Sequence, residues 1–131
     1  MNSSGKIAVV TGASSGIGAI YADRLARRGY DLLLVARRGD RLQSLAARLE
    51  QTCGIRAETR VADLEKEVDI TALETTLADN PAIRVLVNNA GIARLGQVAE
   101  AKTQDSLSQI ALNITALTRL THAVLPAFKA R

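Results

Sequence analysis

The chain has 131 residues, of which 47% are hydrophobic, so we expect one domain with a single core. Its 17 basic and 13 acidic residues give a net charge of +4, but the arginines are scattered and only two Tyr and one Phe could stack on bases, which argues against nucleic-acid binding. Cys53 and His122 are the single residues of their types, so neither a metal centre nor an intrachain disulfide is expected. Without a membrane-length apolar run or a signal peptide, the sequence predicts a soluble cytoplasmic protein with no membrane partner.

In the first half of the chain, short β-branched runs alternate with segments of helical period, which is typical of parallel strands joined by crossover helices. A strand is predicted at residues 6–11 and a helix at residues 16–28. The continuous apolar run at residues 31–36 predicts a strand that is covered on both faces. The next helix is expected to begin at Asp40, which with Gln43 resembles a capping box.

The second half continues this alternation, with a strand near residues 57–62, a helix near 65–78 and a strand at 83–88. A long helical segment follows at about residues 103–129, and Pro126 is expected to distort its last turns. This segment has two apolar faces, so we expect burial on more than one side, by the sheet and by a partner or further chain. One face is Leu107, Ile110, Ala111, Ile114 and Leu117, and the other is Leu112, Ala116, Leu120 and Val124.

The junction "TGASSGIG", residues 11–18, predicts an anion site between the first strand and the first helix. Unpaired N–H groups and the positive end of the helix dipole meet at such a junction. Its glycines would permit a tight turn, a close backbone approach to a pyrophosphate and close packing of helix on strand, and its serines would add hydroxyl donors. These residues are Gly12, Gly16, Gly18, Ser14 and Ser15. The spacing departs from Gly-x-Gly-x-x-Gly, so a glycine-rich turn without a ligand is the alternative.

The end of the second strand, "VARR", favours a cofactor with a 2′-phosphate. A free ribose 2′-hydroxyl calls for Asp or Glu at this point, whereas Ala36 has no carboxylate to repel a phosphate. Arg37 and Arg38 offer fork-shaped donors that suit one. The alternative is that both arginines are only solvated at the start of a loop.

The motifs "TGASSGIG", "VARR", "ADL" and "NNAG", in this order on strand ends, resemble those of the short-chain dehydrogenase/reductase family, classical type, over essentially the whole chain. The resemblance implies an α/β fold with a Rossmann-like doubly wound parallel sheet, four strands in the order 3-2-1-4, and NADP(H) as the preferred cofactor, with NAD(H) possible. It also implies that the pyrophosphate and adjoining ribose are contacted by Gly12, Ser14, Ile17 and Gly18. The adenine would be contacted by Asp63 and Leu64, and the ribose at the fourth strand by Asn89, Ala90 and Gly91.

Two asparagines are given roles by the same resemblance. The stretch "LNITALTRLTHAVLPAF" resembles the family helix whose asparagine, here Asn113, joins the catalytic set. Its backbone carbonyl would hold a water of the proton relay at a local helix distortion. The alternative is an ordinary polar residue on a long helix. Asn88 is expected to be structural and to tie the fourth strand to the first through its amide.

The resemblance stops short of the remaining catalytic residues, which are a Ser after the fifth strand and a Tyr-x-x-x-Lys on the next helix. Tyr21 and Tyr30 are followed four residues later by Leu25 and Leu34, so the sequence has no Tyr-x-x-x-Lys. The fourth strand would also be an apolar, unpaired edge. Residues 1–131 are therefore expected to be an incomplete NAD(P)-binding domain of a longer chain, inactive alone.

The resulting hypothesis is an oxidoreductase that transfers a hydride between NADP(H) and a small-molecule carbonyl or alcohol, here represented by its cofactor-binding half. The alternative is a non-catalytic NADP(H)-binding module or an inactive truncated protein. A homodimer or homotetramer is expected from the broad apolar surface of the last helix.

Overall fold

The computed structural model describes residues 4–93 and 95–131. Strands and helices alternate as predicted through the first seven elements, and the predicted bounds agree within two residues. These elements are β1 (Ile7–Thr11), α1 (Gly16–Arg27), β2 (Asp31–Ala36), α2 (Gly39–Cys53), β3 (Ala57–Val61), α3 (Glu67–Asp79) and β4 (Ile83–Val87). A 3-10 turn and a long helical segment follow. Their bounds are Val98–Glu100 for the turn, then α4 (Thr103–Ile110), a π-helical segment (Ala111–Ala116) and α5 (Leu117–Ala130).

The four strands form one parallel sheet in the order β3-β2-β1-β4, which confirms the predicted topology. Val9 in β1 lies opposite Leu33 in β2 and Leu86 in β4, so β1 occupies the middle of the sheet. The strand order reverses between β1 and β4. In an open α/β sheet, such a switch point opens a crevice at the carboxyl ends of the strands, and that crevice is the preferred place for a ligand.

Both faces of the central strands are buried, as predicted for residues 31–36. On one face, Val10 and Leu34 pack with the apolar side of α1 and α2, including Ala22 and Leu42. On the opposite face, the strands pack with apolar residues of α3, the π-helical segment and α5. The fully or nearly buried residues there include Val9, Leu33, Leu73, Leu77, Leu112, Leu120 and Val124. The sheet is thus the middle of three layers.

The two apolar faces of the long helical segment differ in burial. The face of Leu112, Ala116, Leu120 and Val124 is buried against the sheet, as expected. On the other face, Leu107, Ile110, Ile114 and Leu117 are 43–59% exposed, while Ala111 is half-buried. Pro126 lies inside α5, which continues to Ala130.

An ion-pair cluster fixes α5 against α3. The Arg119 guanidinium on α5 lies 2.7 Å from a carboxylate oxygen of Glu67 and 2.5 Å from one of Glu74. The hydrogen bonds that Arg119 donates to Glu74 and Glu67 raise the pKa of Arg119, and the bond to Glu67 lowers the pKa of Glu67. These ion pairs join α5 to α3 beside the apolar contacts by which the helical segment packs on the sheet.

The predicted capping box at Asp40 is wrong. Helix α2 already begins at Gly39, its N-cap is Arg38, and no side chain makes a capping hydrogen bond there. Asp40 is thus a residue of the first helical turn, where its carboxylate can favour the helix through the helix dipole instead.

Candidate functional site

A cleft of about 430 Å³ lies at the carboxyl edge of the sheet, beside the switch point. It brings together nine residues that the sequence singled out: Gly12, Ser14, Ser15, Arg37, Arg38, Leu64, Asn89, Ala90 and Gly91. Its lining also includes Val35, Ala36, Arg41, Ala62, Ile92 and Leu112. Five other candidates do not line it: Gly16, Ile17, Gly18, Asp63 and Asn113.

The glycine turn between β1 and α1 has the geometry of a closely packed backbone loop. Gly12 and Gly16 have φ values of +64° and +59°, in the left-handed region that disfavours other residues. A Cβ on Gly18 would lie 2.2 Å from the Gly12 carbonyl oxygen, so this glycine permits α1 to pack against the turn. A Cβ on Gly16 would have no heavy atom within 4 Å, so the backbone at Gly16 faces open space.

The start of α1 has unused hydrogen-bond donors. Ser15 is the N-cap, and its hydroxyl makes no capping hydrogen bond. The first amides of a helix have no acceptor within it. The amide of Ala13, by contrast, is used, since it donates to the Val35 carbonyl oxygen at 3.2 Å. The amides that follow Ala13 are therefore the ones available to an anionic ligand.

Thr11 pins this turn to the end of β4, a role that sequence reasoning missed. The residue is 1% exposed, and its hydroxyl donates to the Val87 carbonyl oxygen at 3.3 Å. It accepts hydrogen bonds from the amides of Asn89 and Ala90, at 3.1 and 3.0 Å. The available signal was a lone hydroxyl at the end of the buried run "IAVVT", because a buried polar group requires partners.

The prediction that Asn88 ties the fourth strand to the first is wrong. Its side-chain amide donates to the Thr121 hydroxyl on α5 at 3.0 Å, so it fixes the helix instead. The neighbouring Asn89 makes the tie, donating from its side chain to the Gly12 carbonyl oxygen at 3.1 Å. Successive side chains of an extended segment point to opposite sides, which is why the two asparagines have different partners.

Arg37 and Arg38 leave the end of β2 as exposed cations at the cleft. The ion pairs found in the described ranges, 4–93 and 95–131, involve the arginines at 24, 27 and 119 instead. The described residues that line this cleft include no carboxylate. The site therefore presents unpaired positive charge at the place where the sequence predicts a phosphate.

The residues of the "ADL" motif have different roles in the structure. Leu64 is buried at 6% exposure and lines the cleft. Asp63 lies beside it, with a carboxylate oxygen accepting from the Glu65 amide at 3.1 Å and its own amide donating to Asp69 at 2.8 Å. The carboxylate thus holds a turn, and its contact with adenine stays a prediction.

Asn113 lies in the π-helical segment, where the sequence predicted a local helix distortion. Its side-chain oxygen accepts from the Ile92 amide at 2.8 Å, and its side-chain nitrogen donates to the Ile92 carbonyl at 2.7 Å. This pair of bonds fastens the loop after β4 to the helical segment. The contact of the Asn113 backbone carbonyl with a water stays a prediction.

Among residues 4–93 and 95–131, no three His, Cys, Asp or Glu side chains are placed to hold a metal ion. No helix in the same ranges combines the length and the apolar character that a membrane crossing requires.

Known proteins are similar to this chain in both sequence and fold. The family model for short chain dehydrogenases matches residues 6–131. A very-long-chain 3-oxoacyl-CoA reductase-A from Danio rerio is 37% identical over 131 residues, covering 97% of this chain and 41% of the relative.

Two solved structures superimpose closely. A short-chain dehydrogenase from Sphingobium yanoikuyae in complex with NADPH is 48% identical with a TM-score of 0.92, covering 94% of this chain and 48% of that one. The bulky-bulky ketone specific alcohol dehydrogenase from Comamonas testosteroni is 41% identical with a TM-score of 0.93, covering 95% and 50%. The present chain spans about half the length of these relatives. Its sequence and its fold together place it in the short-chain dehydrogenase family.

Proposed function

We propose that this chain is the cofactor-binding part of an oxidoreductase that transfers a hydride between NADP(H) and a carbonyl or alcohol. The observation that carries the proposal is the cleft at the carboxyl edge of the sheet, where the glycine turn, Arg37 with Arg38, and residues 89–91 meet. The Sphingobium yanoikuyae relative, 48% identical, has a structure in complex with NADPH.

The residues at the cleft fit a dinucleotide. The open space at Gly16 leaves room for a diphosphate close to the backbone, where a side chain would intrude. The unused amides after Ala13 and the Ser15 hydroxyl would donate to its oxygens. We assign the diphosphate and the adjoining ribose to Gly12, Ser14, Ser15, Gly16, Ile17 and Gly18. When bound, the nicotinamide supplies or accepts the hydride, and this turn holds the cofactor in place.

The other contacts follow the edge of the sheet. Buried Leu64 would form the apolar floor under the adenine, with Asp63 at its rim. Asn89 and Ala90, whose amides the Thr11 hydroxyl holds in place, would lie with Gly91 along the ribose at the end of β4. This pinning matters because a fixed backbone loses little entropy when a ligand binds.

NADP(H) is the cofactor that the charges favour. Arg37 and Arg38 are unpaired by any carboxylate in the described residues, and Ala36 stands where an acid would select NAD(H). A guanidinium binds a phosphate through charge-assisted hydrogen bonds that a 2′-hydroxyl cannot match. NAD(H) would bind more weakly at the same site.

We infer that this chain alone binds the cofactor without reducing a substrate. Asn113 could position a water, but the sequence has no Tyr-x-x-x-Lys to act as the general acid and base. The same fact supports the second candidate function, a non-catalytic NADP(H)-binding module. A panel of carbonyl substrates with the purified chain and NADPH tests this inference: we expect binding without turnover, and substrate-dependent NADPH oxidation would contradict it.

The proposal also covers the oligomeric state and the cellular compartment. The exposed apolar face of the long helical segment supports association of two or four copies through that face. The single cysteine, Cys53, is a buried free thiol, which suits the reducing cytoplasm.

The cofactor choice is tested by replacing Arg37. We expect Arg37→Ala to weaken NADPH binding by about 1 to 3 kcal/mol and to leave NADH binding nearly unchanged, because the lost charge-assisted bonds go to the 2′-phosphate. The measurement is a fluorescence titration of each cofactor. Arg56→Ala is the matched control, since Arg56 is exposed and precedes β3, at the opposite edge of the sheet. Equal losses for NADPH and NADH would overturn the 2′-phosphate assignment.

A further inference from the structure

Arg41 is a cleft residue that neither the glycine turn nor the "VARR" motif accounts for. It lines the cleft described above and also a second one, of about 420 Å³, beside α1 and α2. Among the residues that the structure describes, Ser14 is the only other one that lines both. Arg41 and Ser14 therefore mark the place where the two clefts meet.

The backbone that carries Arg41 is fixed on both sides. A Cβ on Gly39 would lie 2.8 Å from a methyl group of Val61, so the start of α2 packs tightly on the end of β3. Leu42 is fully buried, and its amide donates to the Arg38 carbonyl oxygen at 3.2 Å. Arg41 lies between these anchors, in the first turn of α2, with an exposed side chain.

The charge around Arg41 is predominantly positive. Arg37 and Arg38 line the first cleft with it, and Arg48 lines the second. Asp40 is the one carboxylate among the described lining residues of the two clefts, and it lines only the second. The ion pairs of the described residues do not involve Arg41. A guanidinium without a carboxylate partner in such a cluster suits a dianionic ligand.

We propose that Arg41 is a third arginine ligand of the cofactor's 2′-phosphate and a specificity-determining residue for NADP(H). This inference rests on the proposed function, because it concerns the same cofactor. A phosphate at the meeting point of the clefts would be held by Arg37 and Arg38 from the end of β2 and by Arg41 from α2. Three acceptor oxygens can take hydrogen bonds from several guanidinium forks, so the arginines act together rather than in place of each other.

The test compares NADPH and NADH affinities of the full chain and three variants, measured by fluorescence titration. Arg41→Gln removes the charge, Arg41→Lys keeps it without the planar fork, and Arg56→Gln removes one charge at the opposite edge of the sheet. We expect Arg41→Gln to weaken NADPH binding about tenfold or more and to change NADH binding less than about twofold. Arg41→Lys should recover part of the loss, and Arg56→Gln should leave the NADPH-to-NADH ratio unchanged.

Each outcome separates this inference from the function on which it rests. If the unmodified chain prefers NADPH and Arg41→Gln keeps that preference, the role of Arg41 is overturned and the proposed function stands. If Arg41→Gln and Arg56→Gln reduce NADPH binding equally, the effect is general charge and the role of Arg41 is again overturned. If the unmodified chain shows no preference for NADPH, the proposed cofactor fails and this inference fails with it.

Discussion

At the scale of single residues, the site depends on one buried hydroxyl and three glycines. Thr11 joins the end of β1 to the amides at the end of β4, and Asn89 returns a bond to the Gly12 carbonyl oxygen. Gly18 allows α1 to pack directly against the residues that make these hydrogen bonds. The turn is thereby fixed in the absence of any ligand contact.

Gly18 and Gly16 provide a matched pair of substitutions. A Cβ at Gly18 would lie 2.5 Å from the Asn89 side-chain nitrogen as well as 2.2 Å from the Gly12 oxygen, so Gly18→Ala should destabilise the fold by about 1 to 3 kcal/mol. Gly16→Ala meets no atom within 4 Å, so its cost should be limited to the positive φ, about 1 to 2 kcal/mol. Thermal or urea unfolding measures both costs.

Cofactor binding distinguishes the two glycines further. Gly16→Ala should weaken NADPH binding at least tenfold when measured on folded protein, because its Cβ would enter the space assigned to the diphosphate. A Gly16→Ala variant that binds NADPH as tightly as the unmodified chain would refute the assigned position of the diphosphate.

The roles of these residues were predictable to different degrees. The packing role of Gly18 follows from its place two residues after a helix start, and the structure agrees. That Asn89 rather than Asn88 makes the tie to the first strand was not predictable, because it depends on the side of the chain from which each side chain leaves. Thr11 was missed because its partners are amides more than seventy residues away.

At the scale of elements, the long helical segment is the most informative part of the chain. Its sequence predicts one helix with two apolar faces, and the structure buries one face and exposes the other. The π-helical segment widens the helix at Asn113, whose side chain is held by Ile92. Sequence periodicity could not locate this widening, because it shifts the apolar pattern by a single residue.

The exposed face gives an element-scale prediction about assembly. We expect the purified chain to have at least twice its 13.9 kDa mass in solution, through contacts of the face that includes Leu107 and Leu117. Charges placed there would have to be buried between copies, so Leu107→Glu with Leu117→Glu should give a monomer. Light scattering after size exclusion measures the mass.

Ile20→Glu is the control for this experiment, because Ile20 is a 56% exposed apolar residue on α1, which packs on the opposite face of the sheet from the long helical segment. It should leave the mass unchanged. A monomeric unmodified chain, or a double variant that stays associated, would contradict assembly through this face.

At the scale of the whole molecule, the fold follows closely from the alternation of strands and helices. The continuous apolar run at residues 31–36 predicted a strand buried on both faces, and the sheet order β3-β2-β1-β4 agrees with the prediction. The position of the cleft follows from that order, because the switch point lies between β1 and β4. The strand order alone does not predict that α2 forms one side of the cleft, where Arg41 lies.

The cleft also brings together parts of the chain that are distant in sequence. The glycine turn, the end of β2 and the end of β4 are separated in sequence but meet at one edge of the sheet. Their contacts with a cofactor are the central claim, and all other functional assignments depend on it.

Amide NMR of the ¹⁵N-labelled chain during a titration with NADP⁺ tests this claim most directly. We expect the largest chemical-shift changes on the amides of residues 14–18, with further changes at residues 37–38 and 89–91. Saturating NADP⁺ that leaves the amides of residues 14–18 unshifted, or that shifts only amides away from the cleft, would contradict the account.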